Sequence, residues 1–120
     1  VYTLAPELTV VWAHAGTFPY PDLATDYLGR YPALHIDLSG RDERLVDGDR
    51  LRDDWYELLV NFPERVLVGV DTFSTARWES YPRHAERIRR WLQALPADVA
   101  ERIATGNAER VFLGKTGDAR

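Results

Sequence analysis

Three short apolar runs limit what this chain can fold into. TVVWA at residues 9–13 is rich in β-branched and aromatic residues, LHIDL at 34–38 alternates, and VLVGV at 66–70 is almost wholly apolar; turn formers bound them. Runs of this length read as strands, and a nearly continuous one such as VLVGV suits a parallel sheet covered on both faces. The intervening segments have helical spacing. Residues 21–31 place Leu23, Tyr27, Leu28 and Tyr31 on one side, with Pro21 at a first-turn position. Asp53 or Asp54 caps a helix running to about Phe62, with Trp55, Leu58, Leu59 and Phe62 on one side. Residues 77–95 form the clearest amphipathic segment, with Trp78, Tyr81, Ala85, Ile88, Trp91, Leu92 and Leu95 in one stripe. Pro82 begins or kinks that helix, and Pro96 stops it. Residues 98–104 and 107–113 read as two closing helices broken near Gly106, and 114–120 as a frayed polar tail.

Strand, helix, strand, helix, strand, long helix is the order of an α/β protein with a parallel sheet. The strand centres fall roughly 24 and then 32 residues apart, near the repeat of a (β/α)8 barrel whose eight units fill about 250 residues. A chain of 120 residues holds three such units. Three parallel strands cannot close a barrel and leave open edges. The chain is then either a small open sheet or the last three βα units of a (β/α)8 TIM barrel.

Composition narrows the function classes. Hydrophobic residues at 45% and charged residues at 28% exclude global disorder. No apolar run approaches the roughly 18–20 residues of a membrane-spanning helix. The first residues show no basic region followed by an apolar stretch, so no secretory signal is expected and the expected location is cytoplasmic. Fifteen Lys and Arg against nineteen Asp and Glu give a formal charge of -4, which argues against nucleic acid as a partner. Arg83, Arg87, Arg89 and Arg90 cluster, but Glu79 and Glu86 interleave with them, as on a solvated helix face. With no cysteine there is no disulfide, thiolate zinc site or cysteine nucleophile. Methionine is also absent, including a starting one, and the chain is expected to be a piece of something longer.

Ligands of parallel α/β folds bind beyond the carboxyl ends of the strands. The three runs lead there into His14-Ala15-Gly16, Asp37-Leu38-Ser39-Gly40 and Asp71-Thr72-Phe73. Alternation places Val10, Trp12 and His14 on one face, and Leu67, Gly69 and Asp71 on one face. If the faces match, His14 and Asp71 converge on one mouth. An imidazole and a carboxylate are ligands that zinc and related ions accept, and the same pair can serve as base and proton shuttle for an activated water. Ser39 lies near them, but no G-x-S-x-G turn supports a serine hydrolase. Asp37 is a candidate supporting carboxylate, since a buried one needs a partner. His35 reads as structural and His84 as a solvated residue of the long helix. The polar stretch 39–52 is a charged excursion with a turn at Asp47-Gly48, or a binding loop. No Gly-rich phosphate loop follows any strand.

Three segments resemble the amidohydrolase-related family, the metal-dependent (β/α)8 hydrolases and decarboxylases. VVWAHAGTF at 10–18 resembles the sixth strand with its terminal His. RVLVGVDTF at 65–73 resembles the eighth strand with its terminal Asp. IATGNAERVF at 103–112 resembles the closing helix, and LHIDLSG at 34–40 fits the seventh strand more loosely. The resemblance implies that Asp71 ligates a divalent metal, zinc foremost and one or two ions, and exchanges a proton with water or substrate. It implies that His14 orients or deprotonates that water, or binds a second ion. Asp37, Ser39 and Thr72 would support the site or line a substrate loop; Gly69-Val70-Asp71-Thr72-Phe73 departs from the family's Gly-Ser-Asp before an aromatic-Pro pair. Asn107 and Phe112 would pack and cap. The His-x-His pair and the further His of the earlier strands are not in this sequence, so the metal site is incomplete in this chain alone. The implied activity is hydrolysis of a small amide, lactone or ester. Decarboxylation is the near alternative, and a non-catalytic half-barrel docking on a partner chain, by self-association or by pairing with the other half, is the distant one.

Overall fold

The computed structural model describes residues 4–5, 7–16 and 20–114. Strand β1 is Val10–Trp12, followed by a 3-10 turn at Ala13–Ala15 and helix α1, Pro21–Arg30. Strand β2 is Leu34–Asp37. A small antiparallel hairpin, β3 at Val46–Asp47 and β4 at Arg50–Leu51, leads into α2, Asp53–Asn61. Strand β5, Val66–Leu67, precedes the long α3, Thr75–Gln93. Helix α4, Ala97–Glu101, a π turn at Arg102–Gly106 and α5, Asn107–Leu113, close the chain.

β1, β2 and β5 form one parallel sheet in that spatial order, with β2 central. Val10 pairs with Leu34 and Trp12 with Ile36; Ile36 pairs with Val66 and Asp37 with Leu67. Partners across a parallel ladder point the same way. Leu34, Ile36 and Val66 therefore share one face, and they join the helices in a single core with Leu28, Leu58, Leu59, Ile88, Trp91 and Ile103. His35, Asp37 and Leu67 belong to the other face.

The third strand is shorter than the apolar run 66–70 suggests. The last ladder bond runs from Leu38 N–H to Leu67 O at 2.9 Å. After it the Asp37 carboxylate takes the Ser39 N–H at 2.9 Å, an Asx turn that ends β2 and leaves residues 68–70 without a strand to pair with. In α1 the buried side is Pro21, Ala24 and Leu28, one step round from the expected stripe, and Tyr27 lies against the edge of Trp12 with ring centroids 5.5 Å apart. α3 begins earlier than expected, with Ser74 Oγ accepting from Arg77 N–H at 3.4 Å, and runs through Pro82. The carbonyl that Pro82 leaves without its helical donor belongs to Trp78, which is exposed and free to meet water. Trp78 and Tyr81 stack on each other at the exposed end of the helix, while Ile88, Trp91 and Leu95 are buried.

Four further expectations are corrected. Gly106 has helical angles, φ −57 and ψ −40, so the closing helices are joined through the π turn instead of broken. The stretch 39–52 is not merely a solvated excursion: it folds the β3–β4 hairpin and buries Asp42, Leu45 and Leu51. His84 is buried, not solvated, because a carboxylate from that stretch meets it. Phe112 is exposed, since α5 anchors itself through Asn107 instead. The tail at 115–120, and Thr17 and Phe18 of the first segment, lie outside the described residues. No helix among the described residues is long and apolar enough to cross a membrane.

Candidate active site

Because β1, β2 and β5 run parallel, everything that follows their last residues gathers at one edge of the sheet. Simple alternation does not bring His14 there correctly. Trp12 points to the helix-covered face with Ile36, whereas Leu67 points to the face of Asp37. A backbone reversal intervenes. His14 has φ 61 and Ala15 φ 48, and the tight turn swings the imidazole toward β2. Its Nδ1 lies 2.7 Å from the carbonyl oxygen of Ser39. A carbonyl only accepts, so Nδ1 carries the proton and the lone pair sits on Nε2. Metal-binding histidines are oriented in this way, donating the other ring N–H to a carbonyl or carboxylate.

Ser39 is itself fixed. Its hydroxyl donates to the Asp37 carboxylate, which also takes the Ser39 N–H. The hydroxyl is 3.4 Å from His14 Nδ1. The order His14, Ser39, Asp37 is not that of a nucleophilic triad: the carboxylate binds the serine, and the imidazole turns a protonated nitrogen toward it. Close to this group, a β-carbon at Gly69 would stand 3.0 Å from Ser39 Cβ and 3.7 Å from Asp37 Oδ1. The chain leaving β5 therefore runs against the serine turn.

Asp71 follows in the same segment, with φ 59. His14, Ala15 and Asp71 are the non-glycine residues of positive φ among the described residues. Left-handed backbone costs a side-chain-bearing residue roughly 1–2 kcal/mol, and such strain collects at functional sites. Gly40, at φ 68, gives the Asp71 carboxylate room: a β-carbon there would stand 3.2 Å from Oδ2. Among the described residues the Asp71 carboxylate has no hydrogen-bond or ion-pair partner, and no direct contact joins it to His14. Thr72, half-buried, follows it.

Two arginines hold these turns. Arg41 donates from Nε to His14 O at 3.1 Å and from Nη2 to Gly16 O at 3.2 Å. Arg77 donates from Nε to Asp71 O at 3.3 Å and from Nη2 to Val70 O at 2.5 Å. Sequence reasoning missed both. The only signal was an arginine some residues after the exits of β2 and β5, which is common on any helix or loop.

His35 lies on the opposite-parity face but near the amino end of β2, as expected. Burial lowers its pKa; its Nδ1 contacts Ala33 O at 3.3 Å, and Nε2 has no hydrogen-bond partner. It is a neutral packing residue.

A second group has metal-ligand spacing. One ligand atom from each of Asp42, Glu43 and His84 lies within 4.8 Å of the others. The positive charge there is already supplied by Arg87, whose Nη1 donates to Asp42 at 2.7 Å and Glu43 at 3.1 Å. The hydrogen bond to Asp42 raises the Arg87 pKa further, so it stays charged. His84 uses both ring nitrogens on protein partners. This trio fits a metal ion poorly. The imidazole of His14, with Nδ1 on the Ser39 carbonyl, and the carboxylate of Asp71, unpartnered among the described residues, are donor types that zinc accepts.

A family model described as amidohydrolase matches residues 1–113. The chain belongs to the amidohydrolase family. No curated protein and no solved structure matches it. Family membership agrees with a hydrolase type of function, and amidohydrolases generally use divalent metals. It leaves the substrate open.

Proposed function

We propose that this amidohydrolase chain forms the last three βα units of a (β/α)8 barrel, and that His14 and Asp71 carry its chemistry at the barrel mouth. The sheet supports this: it is parallel, Leu34, Ile36 and Val66 pack with the helices on one face, and among the described residues β1 and β5 each pair with a strand on one side only. Further strands adding to those edges would complete a barrel and the ligand set, so the chain's first partner is the remainder of the barrel. Self-association of the isolated chain through the same edges follows from the same physics. The observation that carries the reading is that both candidate groups stand in left-handed turns at the same edge of the sheet.

The substrate class is a small molecule with a reactive carbonyl, such as an amide, lactone or ester. His14 and Asp71 would hold a divalent ion, zinc by the preference of that ion for imidazole and carboxylate. When bound, such an ion supplies Lewis acidity that draws the pKa of a water molecule down toward about 7. The chain's residues do the rest. Asp71 takes a proton from the attacking water and returns it to the leaving group. His14, its ring set by the Ser39 carbonyl, keeps Nε2 toward the reaction. Asp37 and Ser39 hold that carbonyl, and Thr72 lines the substrate side.

His14→Ala and Asp71→Asn in the full-length protein test this. Each is expected to lower zinc content after dialysis and to reduce turnover of a small ester or lactone by at least about a hundredfold, the effect of losing an acid–base group. Full zinc occupancy and full turnover in both variants would end the assignment of the chemistry to His14 and Asp71.

A further inference from the structure

A buried polar chain leads from the exit of β2 into α3. Asp42 and His84 are each 2% exposed. Asp42 Oδ2 accepts from His84 Nδ1 at 2.8 Å and from Arg87 Nη1 at 2.7 Å. His84 Nε2 lies 3.1 Å from Arg77 Nη1. A guanidinium only donates, so Nε2 holds the lone pair and Nδ1 the proton, which goes to the carboxylate. The imidazole is pinned as a neutral tautomer from both sides. Arg77 then has two nitrogens left, and both bind carbonyls: Val70 O and Asp71 O.

These carbonyls flank the left-handed turn that presents Asp71. An aspartate with φ 59 relaxes to a right-handed or extended conformation unless its peptide groups are held. A planar fork with several fixed N–H vectors can hold two carbonyls at once; a lysine, with one ammonium, cannot do so with the same geometry. The position of the histidine is also informative. Residue 84 falls on the buried side of α3 with Ile88 and Trp91, where an aliphatic side chain would pack without needing a partner. A buried imidazole and a buried carboxylate are costly unless fully bonded, and here they are bonded in series toward one turn.

We infer that Arg77, oriented by His84 and Asp42 with Arg87 behind them, is a positioning residue for Asp71. Its role in metal binding rests on the reading of Asp71 as a ligand. Its role as a backbone clamp does not. The exit of the central strand serves both turns: Arg41 clasps the His14 turn, and its neighbour Asp42 sets the arginine that clasps the Asp71 turn.

Full-length protein carrying Arg77→Met, Arg77→Lys, His84→Leu, His84→Gln or Asp71→Asn separates these roles. Two quantities are measured: zinc affinity by competition with a chromophoric chelator, and amide hydrogen exchange across residues 70–73 in the metal-free protein. Arg77→Met is expected to weaken zinc binding by about 10- to 100-fold, the usual effect of losing a group that orients a ligand. It should also speed exchange at 70–73 while leaving 34–37 unchanged. Arg77→Lys should restore little, because a single ammonium cannot reach both carbonyls and His84 Nε2 from the three separate positions of the fork. His84→Gln, whose amide oxygen can still accept from Arg77, should retain more affinity than His84→Leu. Should His84→Leu fail to fold, the Arg77 pair carries the comparison. If Asp71→Asn abolishes zinc binding while Arg77→Met alters neither quantity, the positioning role is wrong and the ligand reading stands. If Asp71→Asn leaves zinc binding intact, the ligand reading falls, and exchange at 70–73 alone decides the clamp.

Discussion

At the scale of single residues, backbone conformation matters more here than side-chain identity. His14 and Asp71 are ordinary residues in sequence, and both were legible as candidates because they follow apolar runs. The positive φ that aims them was not legible. Alternation along the strands gives Trp12 and Leu67 opposite faces, so the faces that were to bring His14 and Asp71 together do not match, and the left-handed turns after the strands are what no periodicity predicts. Ser39 shows the same division. Its side chain suggests a nucleophile, whereas its backbone carbonyl is what holds His14. Ser39→Ala is therefore expected to lower turnover by less than about tenfold, the worth of one net hydrogen bond. Steady-state kinetics of the variant decides it; a loss of several hundredfold would return the hydroxyl to the chemistry. His84 was misread because a histidine among arginines on a polar helix looks solvated until the loop carboxylate that meets it is known.

Among the elements, strands and helices were legible because their apolar spacing is dictated by burial. Their ends were not, because ends are set by individual hydrogen bonds. The Asx turn at Asp37 shortens the sheet, and the π turn at Arg102–Gly106 carries the helix past a glycine expected to break it. Asn107 explains why that continuation is worthwhile. It is 2% exposed and donates from one amide nitrogen to Pro63 O at 2.7 Å and Val66 O at 2.8 Å, tying α5 to the start of β5. Asn107 packs and caps as expected, whereas Phe112, expected to do the same, is exposed: an exposed aromatic on a terminal turn has the same sequence signature as a buried one. Asn107→Ala leaves two carbonyls short of a donor in a place water reaches poorly. It is expected to destabilise the fold by about 1–3 kcal/mol, measured as a shift in the urea unfolding midpoint at unchanged slope. A change below a few tenths of that range would mean that α5 is held by packing alone.

For the whole molecule, a parallel sheet whose outer strands each pair with one neighbour among the described residues describes a wall, and in the proposed barrel such a wall would supply only part of a metal site. The alternation of strands and helices made the parallel sheet legible; the barrel proposed for it was not, since three strands look alike in an open sheet and in a sector of a barrel. Two sets of ligand-type side chains lie on this wall: the proposed pair His14 and Asp71, and the group Asp42, Glu43 and His84. The decisive measurement is the anomalous difference map of zinc-loaded, full-length crystals. The account expects a peak at the carboxyl edge of the sheet, within the roughly 2.0–2.2 Å coordination distance of the Asp71 carboxylate and adjacent to His14 Nε2. A peak between Asp42, Glu43 and His84, with Arg87 displaced and the Asp71 turn empty, would contradict it.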